Sequence, residues 1–214
     1  MGPYISGLHA ECANILAEAG KQAGYTTFRE SCIPQLQQVD SQGNVVDAIL
    51  DVEMDKHNQE HGMLLYVSVR HPAAEGIVRR AAECDGHAAA LAVEQKAKRY
   101  PAAFGRVVTP CIIETFGRTE PHLDQLLVLL DGLARKQKRT RTSPTPWRKK
   151  WALQLELTVA RGIARGILAA GASPSVPLDD NRRGLENAWK CIMMLAVGPK
   201  VVGMDGQCPR HCRR

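Results

Sequence analysis

Three short β-prone runs follow one another before any long helical pattern returns, and this order restricts the folds open to the chain. Tyr25–Ile33 carries Thr26, Thr27 and Phe28 and stops at Pro34. Val45–Val52 is apolar and β-branched, and it reads as one largely buried strand. Met63–Val69 repeats that pattern and ends at Arg70-His71-Pro72. The turn cluster Asp40–Asn44 and the polar stretch Asp55–Gly62 separate the runs. Connections this short favour an antiparallel or mixed start. An alanine-rich helix, Ala81–Tyr100, then precedes a fourth run, Arg106–Thr115, and permits a crossover connection. Helical spacing also predicts helices over Gly7–Gly20, Glu120–Gln137 and Trp147–Ala170, with a shorter one around Gly184–Val197. The expectation is an α/β fold with an αβββαβ core, a mixed sheet and C-terminal helices.

Charge divides this order into two parts. Residues 1–134 carry 11 Lys and Arg against 17 Asp and Glu, a net −6, whereas residues 135–214 carry 17 against 5, a net +12. Arg135–Lys150 holds eight basic residues, no acid, and the helix-breaking Thr142-Ser-Pro-Thr-Pro146. Three parts are therefore expected: a core over 1–134, a basic linker over 135–150, and a helical extension with a frayed tail over 151–214. A basic segment suits a phosphate backbone, although a solvated surface without a partner has the same composition. No apolar run reaches the roughly 18 residues of a membrane helix, and no signal peptide is visible. Seven scattered cysteines without a CxxC pair read as reduced thiols of an intracellular protein.

The most unusual residue is Asp51, a carboxylate inside the apolar run Val45–Glu53. Asp47, Asp51 and Glu53 are separated by even numbers, so a regular strand puts them on one face and turns Val46, Ala48, Leu50 and Val52 to the core. The same pattern also describes the solvent side of an edge strand. Lys96, Lys98 and Arg99 close the alanine-rich helix, where cations commonly complement the dipole. His57 and His61 are four apart but lie in a loop-like stretch, and Cys208, His211 and Cys212 make a poor zinc set. Walker A, GxGxxG and GxSxG patterns are absent from the sequence.

These segments together resemble the PD-(D/E)XK nuclease core. More specifically, they resemble the restriction-like endonuclease domain that follows the reverse transcriptase of some non-LTR retrotransposons and related open reading frames. The resemblance rests on His9 in Gly-Leu-His-Ala-Glu11, on Glu30 before Cys32-Ile-Pro34, and on Ala48-Ile-Leu-Asp-Val52. It continues through Val67-Ser-Val-Arg-His-Pro72, Glu94-Gln-Lys-Ala-Lys-Arg-Tyr-Pro101, Glu114-Thr-Phe-Gly-Arg118 and a closing helix with Arg161-Gly-Ile-Ala-Arg165. It covers roughly residues 7–170, and no reverse transcriptase motif accompanies it. The chain would then be a detached remnant or a separate domain.

The resemblance implies a metal-dependent DNA endonuclease in which Asp51 binds Mg²⁺ or Mn²⁺ and the metal activates water. Glu30 would support the metal, and Lys96 would orient the water or stabilise the developing charge, with Lys98 as its substitute. Arg70 and Arg99 would contact phosphates. Arg135, Lys136, Lys138, Arg139, Arg141, Arg148, Lys149 and Lys150 would bind the backbone outside the site. DNA is the implied partner, with RNA the other nucleic acid open, no membrane, and a nuclear location. One departure matters: Tyr66 stands where the family has its second metal-binding Asp. Neutral tyrosine is a poor Mg²⁺ ligand, so Glu53 would have to replace that carboxylate. The competing expectations are a nucleic-acid-binding remnant without catalysis, and an interaction domain with an incidental basic tail.

Overall fold

Four strands form one mixed sheet because their apolar residues alternate between two helical layers. The computed structural model describes residues 3–39, 41–56, 62–100, 108–137 and 146–171. The chain divides into two units after Ala170. The expected helix at Gly184–Val197, the groups His57 and His61, and the residues Cys208, His211 and Cys212 lie outside the described residues.

The helix α1 (Pro3–Gln22) leads into β1 (Thr26–Cys32). A two-stranded ribbon, β2 (Gln38–Val39) with β3 (Val45–Val46), precedes β4 (Ile49–Asp55) and β5 (Met63–Arg70). Two helices, α2 (Val78–Glu83) and α3 (His87–Arg99), then lead to β6 (Val108–Glu114). The helices α4 (Pro121–Lys136) and α5 (Trp147–Gly171) follow. The main sheet has the order β1-β4-β5-β6; its first two pairings are antiparallel and β5 pairs parallel to β6. A parallel pair needs a crossover, and α2 and α3 supply it.

The alternation along β5 decides the layers. Leu65 and Val67 join a core with Leu16 of α1, Leu127 of α4 and Leu155 of α5. Leu64 turns to a second cluster with Ile33, Leu50 and Tyr100, and Tyr66 packs against it. Ala89 and Ala92 of α3 cover Ile112 of β6. Trp147, Trp151, Leu155 and Val159 of α5 are buried in the same core as α1 and α4. That approach is close: a Cβ on Gly162 of α5 would stand 2.8 Å from Leu8 Cδ1 of α1.

Two expected elements are divided. Val45–Val52 is not one strand: Val45 and Val46 are 65% and 39% exposed in the ribbon, and β4 begins only at Ile49. Apolar β-branched composition cannot distinguish a ribbon from a core strand. The alanine-rich helix is interrupted at Cys84-Asp85-Gly86, where Gly86 takes φ +76° and the chain turns into α3. Its composition favours helix on both sides of a break that only the left-handed glycine marks.

Candidate functional site

The β4–β5 ladder stops at Val52↔Leu65, although β5 continues to Arg70 in register with β6. Continuing the register would set Asp51 opposite Tyr66. Instead the Asp51 carboxylate fills the opening, and its Oδ2 accepts from the Val67 N–H at 2.7 Å. Asp51 is 9% exposed. Its other oxygen, Oδ1, stands 3.1 Å from His9 Nε2 of α1, and the same nitrogen is 3.1 Å from the Val67 carbonyl. Both neighbours are acceptors, so Nε2 carries the proton. The hydrogen bond to Asp51 raises the His9 pKa, against the opposing effect of burial.

The backbone is irregular on the other side of Asp51 as well. Arg29↔Val52 and Ser31↔Leu50 pair across β1 and β4, which leaves Glu30 facing Asp51. Glu30 has φ +54°, the single non-glycine residue with positive φ among the described residues. Leu50 and Val52, two apart, belong to different core clusters. The even spacing of Asp47, Asp51 and Glu53 therefore does not make one acidic face. Asp47 precedes β4, is exposed, and accepts from Gln37 Nε2 at 2.5 Å. Glu53 is half-buried two residues along β4, in register with Phe28 and Leu64.

Cations approach Asp51 from α3 and from the end of β5. Lys96 Nζ lies 3.8 Å from the Tyr66 ring centroid and 5.8 Å from that of Tyr100. The two rings stand 6.2 Å apart. Burial, then Arg99 and Arg70, lower the Lys96 pKa to about 8, with Asp51 opposing them. Burial raises the Tyr66 pKa, and Asp51 adds to that. Lys96, Arg70, Arg99, Tyr66 and Asp51 thus share one electrostatic neighbourhood. Arg70 Nε is buried with no hydrogen-bond partner among the described residues, and Arg99 Cζ is 5.5 Å from the Tyr100 ring.

The remaining basic candidates stand elsewhere. Lys98 points to Glu94, 2.7 Å away on the same helix, in an exposed pair. Arg135 holds Asp131 with two bonds, Nε–Oδ1 at 3.0 Å and Nη2–Oδ2 at 2.6 Å. Lys136, Arg148 and Lys149 are exposed, and Lys150 Nζ lies 4.6 Å from the Trp151 ring. Lys138, Arg139 and Arg141 lie outside the described residues. Trp147 and Trp151 are core residues 5.8 Å apart, 5% and 2% exposed, so neither offers a face to a base.

Sequence reasoning missed two contributors. His9 opens a motif but gives no sign of pairing with Asp51, because one histidine on an amphipathic helix has many uses. Buried Glu114 accepts from the Ala89 N–H at 3.0 Å and so caps the first turn of α3, the helix that carries Lys96. A carboxylate closing the apolar run of β6 is the signal that could have found it.

The donor set around Asp51 is poor for a hard cation. Mg²⁺ asks for near-octahedral oxygen ligation. Here both oxygens of one carboxylate already accept from N–H groups, and the neighbouring side chain is a phenol. No cluster of three or more His, Cys, Asp or Glu suited to a metal occurs among the described residues. No described helix is long and apolar enough to cross a membrane. No protein-family model matches the chain, and no curated protein or solved structure is significantly similar to it.

Proposed function

We propose that this chain is a nucleic-acid-binding domain arranged like the PD-(D/E)XK nuclease core, intracellular and nuclear, which holds DNA phosphates and has lost cleavage at Tyr66. The element order α1-β1-β4-β5-α3-β6, with its parallel last pair, supports the reading because the resemblance implies that order. The observation that carries the loss of cleavage is Lys96 over Tyr66 at 3.8 Å, where the resemblance expects a carboxylate. A ring there holds the ammonium but supplies no charge to a metal. Arg70, Lys96 and Arg99 remain as a cationic face for phosphates.

A second reading keeps the enzyme: an endonuclease in which Asp51 and Glu30 hold Mg²⁺ or Mn²⁺. The favouring observation is the left-handed backbone of Glu30 directly across from Asp51, since strain of this kind gathers at functional sites.

Two measurements separate the readings. Duplex binding through three phosphate contacts falls roughly 40-fold between 50 and 200 mM salt. Nicking of supercoiled DNA in Mg²⁺ or Mn²⁺ is scored for the wild type, Tyr66→Asp and Asp51→Asn. The proposal expects salt-sensitive binding by the wild type and cleavage by Tyr66→Asp alone. Cleavage by the wild type that disappears in Asp51→Asn overturns it in favour of the second reading. Absent or salt-insensitive binding overturns both.

A further inference from the structure

An open groove of about 370 Å³ lies beyond the end of β5, between α2, the start of α3 and the turn after β6. Its volume is near the small end of sites that take one small molecule or one residue-sized group. Pro72 and Ala81 give it apolar walls, and Asp85, His87 and Arg118 give it a polar end. Phe116 lines it and is 48% exposed, so one face of the ring is open to the groove side. The ring is held in place: His71 packs edge-on against it at 5.7 Å, and His71 Nδ1 is 2.7 Å from Thr115 Oγ1. Arg118 is also fixed, by an ion pair with Asp85.

We infer that this groove takes a single unstacked nucleobase, with Phe116 as its stacking face. The inference rests on the proposed nucleic-acid binding and names the form of nucleic acid as single-stranded or locally opened. Three observations favour a base over an aliphatic side chain. A planar heteroaromatic needs apolar walls and a polar edge together, and the groove has both. Among the described residues of the groove wall, the one phenyl ring is exposed and backed by His71 rather than packed away. Pro72 in the wall follows Arg70 by two residues, roughly 7 Å of extended chain, so a phosphate held by Arg70 leaves its base within reach of the groove. Bases stacked in a duplex cannot enter it, whereas single strands commonly combine a cationic track with aromatic platforms.

The test compares single-stranded and duplex oligonucleotides of equal length, with full-length wild type, Phe116→Ala, Ala82→Trp and Arg99→Ala, by fluorescence anisotropy. Ala82 is an exposed residue of the groove wall, so the tryptophan fills the groove from outside the core. Phe116→Ala and Ala82→Trp should each weaken single-strand binding roughly 5- to 150-fold, the range of one lost base stack, and leave duplex binding within about twofold. Arg99→Ala should weaken both. An unchanged ratio of single-strand to duplex affinity in both groove variants overturns the inference and leaves the groove to an apolar peptide side chain. If the wild type binds neither nucleic acid, the proposed function fails and this inference fails with it.

Discussion

The Lys96 ammonium stands over the Tyr66 ring at 3.8 Å, and the same ring lies across the opened β4–β5 ladder from Asp51. Under the proposed function, this contact couples a cation of the phosphate-binding face to the residue that stands where the resemblance expects a carboxylate. Burial first, then the charges of Arg99 and Arg70, make Lys96 titrate at about 8 instead of near the ordinary 10.5. The sign follows from proton counts. Between these values the unfolded chain binds more protons at Lys96 than the folded chain, so this residue makes folding relatively more favourable as pH rises. Its binding role has the opposite dependence, because only the charged form attracts phosphate. Duplex affinity should therefore fall as pH rises through about 8. The Lys96→Arg variant, which stays charged, should show a flat profile over pH 7–9. The check is anisotropy titration at fixed ionic strength, and parallel profiles in the two proteins would remove Lys96 from the interface.

The His9–Asp51–Val67 arrangement joins α1 to the opening between two strands. Asp51→Ala leaves the Val67 N–H without its acceptor, which costs about 1–3 kcal/mol if that group stays dry, while the His9 N–H keeps the Val67 carbonyl. A double-mutant cycle with His9→Ala and Asp51→Ala should give a coupling of about 0.5–3 kcal/mol from urea unfolding. A coupling near zero would mean that the two side chains act independently of each other.

Much of the fold is legible in the sequence where one residue type repeats at a fixed period. Met63–Val69 reads as a buried strand because it is mostly apolar, and the structure buries residues on both of its faces. Leu123, Leu126, Leu127, Leu129 and Leu130 of α4 read as the apolar side of a helix, and the structure buries all of them except Leu129, which is 48% exposed. The break at Gly86 and the separation of β3 from β4 are not legible, because glycine conformation and strand pairing depend on distant partners. The site divides similarly. Asp51 is visible as a charge inside an apolar run, and its burial agrees with that oddity. Its hydrogen bonds to His9 and Val67 are not visible, since they arise only where a ladder stops. The turn of Lys98 toward Glu94 is set by helical i,i+4 spacing, a signal that was available in Glu94-Gln-Lys-Ala-Lys98.

Gly86 offers a separate test of the groove. Its φ is +76°, and a Cβ there would stand 2.9 Å from Arg118 Cζ, against the guanidinium that pairs with Asp85. Gly86→Ala should destabilise the protein by about 1–3 kcal/mol, from left-handed strain and displacement of Arg118. Gly76→Ala is the control, because Gly76 has φ +85° and no atom within 4 Å of the added methyl. Denaturant midpoints of the two variants should differ, with Gly86→Ala the lower. Equal midpoints would mean that Arg118 yields without loss.

The helix α5 shares its core with α1 and α4 through Trp151, which is 2% exposed. Removing a side chain of that size from a packed core costs about 3–5 kcal/mol. Trp151→Ala should therefore lower the stability of the whole α/β unit in one cooperative transition. Trp151→Phe should lose far less, because the indole Nε1 is buried with no hydrogen-bond partner among the described residues and its removal costs no bond there. Urea unfolding followed by circular dichroism at 222 nm and by tryptophan fluorescence checks both. Coincident curves shifted together in Trp151→Ala are expected. A shift in fluorescence alone, with the far-ultraviolet transition at its wild-type midpoint, would mean that α5 unfolds by itself and does not belong to the core that holds the Asp51 site.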